Sequence, residues 1–245
     1  MLHQQTAEKL CAMRLSAMAA AWEEQNESQH SAELDFNQRF SMLVDAEHLA
    51  RENRKLQRLL RDANFRLREA CMEDVKATAE RGLPPATLAQ LASASWIDRH
   101  LNVLITGASG VGKSYLACAL GQLACRRAHR VAYYRLPRLL EAVSLSKADG
   151  TYSKLLAKLA KAEVLILDDF GLGKLRDAQR HDLLEVVEDR YDDRATVITS
   201  QLPLKKWHDW LGDPTLADAI LDRLVHNAYK LELKGPSKRK EKAIS

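Results

Sequence analysis

Residues 107–114, Gly-Ala-Ser-Gly-Val-Gly-Lys-Ser, constrain this chain more than any other stretch. They fit G-x-x-x-x-G-K-[ST] at every fixed position. They follow the apolar run Val103-Leu104-Ile105 and open a helix-compatible segment from Lys113 toward Arg126. Strand, glycine-rich loop and helix, in that order, let a chain wrap its backbone N–H groups around phosphate. Gly107, Gly110 and Gly112 tolerate positive φ. The loop and its flanks, Gly107, Ala108, Ser109, Gly110, Val111, Gly112, Lys113, Ser114 and Tyr115, therefore make a candidate anion cradle at a helix start. Lys113 is placed to reach the β- and γ-phosphates, and the Ser114 hydroxyl to ligate Mg²⁺. A glycine-rich turn ahead of a core helix would account for neither the lysine nor the strand–loop–helix order. The expected ligand is a nucleoside triphosphate.

A length of 245 residues suits one medium domain with an appendage, and 46% hydrophobic content is ample for a core. No run of about eighteen apolar residues exists, so no membrane helix is expected. The Ala/Met-rich start is interrupted by Glu8, Lys9 and Arg14 and followed by Glu23 and Glu24, which reads as an amphipathic helix rather than a signal peptide. Cys11, Cys71, Cys118 and Cys125 form no C-x-x-C pair and have no histidine at zinc-ligand spacing. Cys118 and Cys125, seven apart, would share the apolar side of one helix. Free thiols in a reducing cytoplasm are the expectation. The net charge of +4 is modest, but basic residues concentrate at 51–68 and 234–242, as a polyanionic partner would favour.

Residues 1–80 hold almost no glycine or proline and read as helix, one over 6–25 and a second over 32–68. In the second, Phe36, Phe40, Leu43 and Val44 recur at helical spacing, continued by Leu56, Leu59 and Leu60. The Arg81-Gly82-Leu83-Pro84-Pro85 break marks a boundary. The division expected is a helical N-terminal domain at 1–80, a linker at 81–100 with a short helix around 88–94, and a nucleotide-binding domain at 101–245 with a basic tail. From residue 101 strand-like runs at 102–106, 131–135, 164–168, 196–200 and 229–233 alternate with helical stretches at 113–126, 137–146, 152–161, 177–191 and 215–227. Such alternation argues for an α/β fold, a mostly parallel sheet flanked by helices. The nucleotide should lie at the carboxyl ends of its strands.

Val164-Leu165-Ile166-Leu167-Asp168-Asp169 is a buried-strand run ending in two carboxylates. Asp168 would hold Mg²⁺ beside Ser114, and Asp169 would polarise the water that attacks the γ-phosphate. The plainer alternative is a helix-capping pair after a strand. The next strand ends Val197-Ile198-Thr199-Ser200-Gln201, where a polar side chain can orient that water; a simple strand-ending turn is the alternative. Arg223 lies on a helical stretch beside Ile220, Leu221 and Leu224. A guanidinium binds phosphate oxygens as a fork, but spacing alone favours an ion pair with Asp218 or Asp222. Arg51, Arg54, Arg58 and Arg61 align on one stripe of a helix, able to track a DNA backbone or to form a solvated charged face. Tyr133, Tyr134 and Arg135 offer a stacking platform, against which stands the ordinary role of strand aromatics as core.

Taken together, the phosphate loop, VLILDDFG, VITSQLP, Trp207 in KKWHDWLGDP, and ADAILDRLVHNAYKLELKGPSKR closely resemble the IstB helper ATPases of insertion sequences, in the DnaC/IstB branch of the AAA+ superfamily. The likeness is strong over 101–239 and looser before it. It implies an AAA+ core of five parallel strands ordered 5-1-4-3-2. It further implies ATP with Mg²⁺ as cofactors, and nucleotides bound between subunits of a homo-oligomeric ring or spiral. Assembly on double-stranded DNA and recruitment or stimulation of a partner transposase in transposition complete the picture. Carried onto this sequence, Lys113, Asp168 and Asp169 serve catalysis, Ser200 or Gln201 is the sensor, and Arg223 is an arginine finger. Arg239, within G-x-S-x-R, is a further basic contact to phosphate or DNA. Gln201 departs from the asparagine usual at the sensor position. A replicative helicase loader of the DnaC type shares the core and would differ in docking a helicase through residues 1–80. A small-molecule kinase would need an acceptor pocket and a basic lid that no segment suggests.

Overall fold

A computed structural model of the chain describes residues 2–28 and 33–237. They belong to two compact units, Met1–Arg58 and Leu59–Ser245.

In the first unit, α1 (Leu2–Ala12) and α2 (Ser16–Glu27) stand where one helix over 6–25 was expected. Arg14 adopts a left-handed conformation (φ 61°), and Leu15 N closes the turn onto Leu10 O at 2.8 Å. The following helix α3 (Phe36–Ala63) is shorter than the expected 32–68. It stops because Asn64, one of the few residue types at ease at positive φ, turns the chain at φ 55°. The apolar pattern read along α3 marks a core only in part. Leu43 is buried, whereas Phe36, Phe40 and Val44 are exposed, the two phenylalanine rings stacked 5.9 Å apart.

The boundary expected near residue 80 falls earlier. Leu59, Ala63, Phe65 and Ala70 are buried in the second unit, and residues 64–78 contain no helix. Beyond them come α4 (Pro85–Ala92) and α5 (Ser95–Asp98), in place of one short helix around 88–94. The remainder alternates as the sequence suggests: β1 (Asn102–Gly107), α6 (Lys113–Arg126), β2 (Val131–Arg135), α7 (Leu136–Ala148), α8 (Tyr152–Lys161), β3 (Val164–Phe170), α9 (Asp177–Glu188), β4 (Ala195–Ser200), α10 (Trp207–Leu211), α11 (Pro214–Val225) and β5 (Ala228–Leu233). The short α10 was not foreseen. It is held by Trp207, which is fully buried with its ring 4.4 Å from that of Phe170.

The five strands pair in parallel in the order β2-β3-β4-β1-β5, the expected 5-1-4-3-2 read from its other edge. Parallel sheets are covered on both faces, so their central strands read as unbroken apolar runs. Val164 through Leu167 in β3 are accordingly completely buried, while the edge strand β5 alternates exposed and buried residues. No helix among the described residues is long and apolar enough to cross a membrane.

Candidate functional site: a phosphate loop facing paired aspartates

The loop between β1 and α6 has the backbone its sequence requires. Gly112 precedes the helix at φ 101°, in the left-handed region where a β-carbon is strained. At Gly107 (φ 144°) a β-carbon would come within 2.3 Å of the Leu233 carbonyl oxygen. Only glycine lets the loop pass so close to the end of β5. Lys113 folds its nearly buried ammonium group back onto the loop, donating to Gly107 O and Ala108 O at 2.8 Å each. Those carbonyls hold the lysine beside the cradle of N–H groups at the start of α6.

Opposite the loop, the end of β3 is irregular. Leu167 pairs with Ile198 but Phe170 with Ser200, so β3 carries an extra residue there. Asp169 absorbs it at φ 61°, a conformation costly for most side chains and typical of functional turns. The bulge sends the two carboxylates to different places. Asp168 is completely buried: Oδ1 accepts from Ser114 Oγ (2.8 Å) and Thr199 Oγ1, and Oδ2 from Tyr133 OH (2.6 Å). Arg66 Nη1 lies 3.8 Å from the same Oδ2. Asp169 is nearer the surface, where Oδ2 accepts from Arg135 Nε at 2.7 Å and its backbone N–H donates to Thr199 Oγ1 at 3.3 Å. Burial and then the bond to Asp168 push the Tyr133 hydroxyl far above its ordinary range, so it remains a neutral donor. Its bond to Asp169 raises Arg135 further.

Ser114 and Asp168 thus meet across 54 residues of sequence, hard oxygen donors side by side beneath the loop. One hydroxyl, one carboxylate and the oxygens of a phosphate chain form the donor set that suits Mg²⁺. Among the described residues no group of three or more His, Cys, Asp and Glu side chains could hold a metal ion.

The two residues considered for a sensor do not face the carboxylates. Ser200 Oγ donates to Phe170 O (2.7 Å) and accepts from Leu202 N (3.0 Å), closing the turn after β4, while Gln201 is exposed. One residue before Ser200, Thr199 Oγ1 donates to Asp168 and accepts from the backbone N–H of Asp169. Tyr133 and Arg135, which the sequence offers only as a stacking platform, and Arg66 join the aspartates here, and only the adjacency of β2, β3 and β4 reveals the first two. Tyr133 is buried at the site rather than offered for stacking.

Arg223 on α11 lies at the opposite end of the sheet from the loop. Asn102, which begins β1, donates from Nδ2 to Arg223 O (3.1 Å) and Leu224 O (3.2 Å). The loop begins at Gly107, where β1 ends, and five steps of roughly 3.3 Å along the strand put about 17 Å between those points. The Arg223 guanidinium pairs with Glu188 instead of Asp218 or Asp222, donates from Nη1 to Ala219 O (2.8 Å), and sits 5.8 Å from the Tyr191 ring. The Glu188 bond raises its already high pKa.

Of the basic stripe on α3, Arg51 Nε and Arg54 Nη2 donate to Glu47 Oε1 at 2.8 and 3.0 Å, and Arg61 lies 3.4 Å from Asp62. Arg58 is exposed. Arg239 lies outside the described residues. Cys118 and Cys125 are buried free thiols, as expected, pushed up to about 11 and about 12 by burial.

A parallel 5-1-4-3-2 sheet with a phosphate loop after β1 and paired acids at the end of β3 defines an AAA+ nucleotide-binding core. Solved structures of low identity share that fold. The DnaC helicase loader superposes with a TM-score of 0.56 at 20% identity, over 67% of this chain and 97% of that one. DnaI superposes at 0.59 and 21%, over 75% and 93%. The chain belongs to the family of IstB-like ATP binding proteins, which it matches over residues 8–245. It is 48% identical to the insertion sequence ATP-binding protein y4pL of Sinorhizobium fredii, over 98% of each chain. It is 44% identical to the ATP-binding protein of insertion sequence IS1162 from Pseudomonas fluorescens, over 83% of this chain and 88% of that one. With the ATP-binding protein of IS21 from Pseudomonas aeruginosa it shares 32% identity, over 86% and 79%.

Proposed function

We propose that this chain is an ATP-hydrolysing transposition helper. ATP binds at residues 107–115, with Mg²⁺ held by Ser114 and Asp168, and the loaded chain assembles as a ring or spiral on duplex DNA. There it recruits or stimulates a partner transposase, and hydrolysis resets the assembly. Lys113 binds the β- and γ-phosphates, and Mg²⁺ would neutralise charge on the transferring phosphoryl group. Asp169, oriented by Arg135, takes the proton of the attacking water. Thr199, touching both acids, holds the water's side of the site in register.

The observation that carries this reading is the position of Arg223. A finger about 17 Å along β1 from its own loop cannot serve its own nucleotide. It can complete the site of an adjoining copy, which makes catalysis depend on assembly. Glu188 keeps the guanidinium in place until a neighbour's phosphates compete for it. Duplex DNA as the support rests on the insertion-sequence relatives and on the stripe of Arg51, Arg54, Arg58 and Arg61. Arg51 and Arg54 keep 56% of their side-chain surface exposed despite their bonds to Glu47. Arg239 in the tail would add a further phosphate contact.

Sedimentation of the full chain with ATP, Mg²⁺ and long DNA tests the proposal. Large complexes on duplex DNA that vanish without ATP are expected. A chain that stays monomeric under saturating conditions contradicts it, and ATP-dependent complexes on single-stranded DNA alone would favour a helicase loader.

A further inference from the structure

A completely buried carboxylate is costly unless its charge is met, and three of the groups bonded to Asp168, from Ser114, Thr199 and Tyr133, are neutral. Arg66 brings a full positive charge, 3.8 Å from Oδ2, while keeping 41% of its own side-chain surface exposed. Its place is built rather than incidental. Phe65 is buried against α6, where a β-carbon on Gly121 would lie 2.5 Å from its ring. Gln122 Nε2 donates to Arg68 O at 2.6 Å. Cys71 N donates to Tyr115 OH at 3.4 Å, and that hydroxyl donates to Asp74 Oδ2 at 3.3 Å. Arg126 Nη1 meets Glu73 Oε1 at 2.7 Å. Residues 65–74 therefore form a strap along the phosphate-loop helix, and the strap aims Arg66 at the aspartate beneath the loop.

We propose that Arg66 is the resident counter-cation of Asp168. It holds the buried charge while the site lacks a divalent ion and yields the carboxylate when the nucleotide brings one. This rests on the Mg²⁺–nucleotide reading above. A small doubly charged ion makes contacts of about 2.1 Å to oxygen. A half-exposed guanidinium loses little by turning back to water. Two cations on one carboxylate also repel, so each weakens the other's hold. The strap thereby senses whether the site is loaded. Arg66 acts on the metal through Asp168 and is a positioning residue.

The test uses the full chain, with Arg66→Gln and Arg66→Lys. Binding of a fluorescent ATP analogue is titrated with Mg²⁺, and thermal unfolding is followed in chelator and in Mg²⁺–ATP. Arg66→Gln should reduce the Mg²⁺ concentration for half-saturation roughly threefold to tenfold, because a competing cation is gone. Its melting temperature should fall more in chelator than in Mg²⁺–ATP. Arg66→Lys should lie between Gln and wild type on both measures, and decides alone if the Gln variant does not fold. A purely structural lesion would weaken binding. A midpoint that is unchanged or higher than wild type, in whichever variant is measured, overturns the proposal. Wild type that binds no nucleotide at any Mg²⁺ concentration overturns the nucleotide reading instead.

Discussion

Glu47 in the first unit and Asp168 in the second are both carboxylates shut away from water, and their partners differ. Glu47 accepts backbone N–H groups of Ala17 (3.0 Å) and Met18 (3.3 Å) at the start of α2, and is clamped by Arg51 and Arg54. Its charge is spent on unpaired amides of a helix terminus, a structural use. Asp168 gathers side chains from the loop helix, β2, β4 and the 65–74 strap, three hydroxyls and the Arg66 guanidinium. The surroundings follow suit. The second unit buries its strands and the Trp207–Phe170 pair, while the first leaves Phe36, Phe40, Met42 and Leu49 open. On the proposed function, the buried charge within the apolar frame serves nucleotide chemistry, and the one where the frame is thin holds a helix junction.

That contrast can be broken at several points. Trp207→Ala should destabilise the second unit by about 3–5 kcal/mol, the usual cost of emptying a large core site. Phe40→Ala should stay within roughly 0.5 kcal/mol. Chemical denaturation of both variants checks this, and equal losses would erase the distinction between the units.

In the catalytic frame, Asp169→Asn should slow hydrolysis about 100-fold with ATP affinity nearly kept. Phosphate release and DNA dissociation rates report it. Rapid disassembly of that variant from DNA would contradict the role given to Asp169.

Acid should act on the first unit through Glu47. Its bond to Arg51 holds this carboxyl below the ordinary value of 4.5. A carboxylate depressed in the fold contributes stability above the unfolded value, lost as pH falls through the depressed one. Helix signals from residues 16–27 should therefore weaken below about pH 4.5, and Glu47→Gln should be weaker at neutral pH without that acid step. Site-resolved NMR across pH 3–7 distinguishes the two profiles.

The smallest effect concerns thiols. Cys11 is exposed and should react with a maleimide at pH 8, whereas buried Cys118 and Cys125, with thiols pushed up to about 11 and about 12, should stay unlabelled until unfolding. Mass spectrometry of the native chain counts them.

The two units were also unequally legible. Lys113–Arg126 and Tyr152–Lys161 begin and end where periodicity put them, because glycine turns and apolar strands bracket them. The phosphate loop and the paired aspartates stand in the sequence as contiguous motifs, and Ser114 meets Asp168 at 2.8 Å where α6 packs on β3. Tyr133, Thr199 and Arg135 carry no such motif. Their roles arise where β2 and β4 flank β3, and no periodicity says which strand neighbours which. The first unit misleads for another reason. A 3.6-residue apolar repeat signals a stripe, not a partner, and Phe36 and Phe40 occupy a stripe that stays in solvent. Nor did the turn at Arg14 announce itself, since arginine is no usual breaker, whereas Asn64 did carry the signal that ends α3.

Completion of one copy's nucleotide site by the Arg223 of another is tested most directly by mixing two inactive variants. Asp169→Asn holds ATP without cleaving it and still offers its arginine, and Arg223→Ala holds ATP but offers none. On long duplex DNA with Mg²⁺–ATP, each alone should hydrolyse at least about 100-fold more slowly than wild type, while the mixture recovers a substantial fraction of wild-type activity. Hydrolysis by the mixture no faster than the sum of its two components would contradict a finger acting between copies.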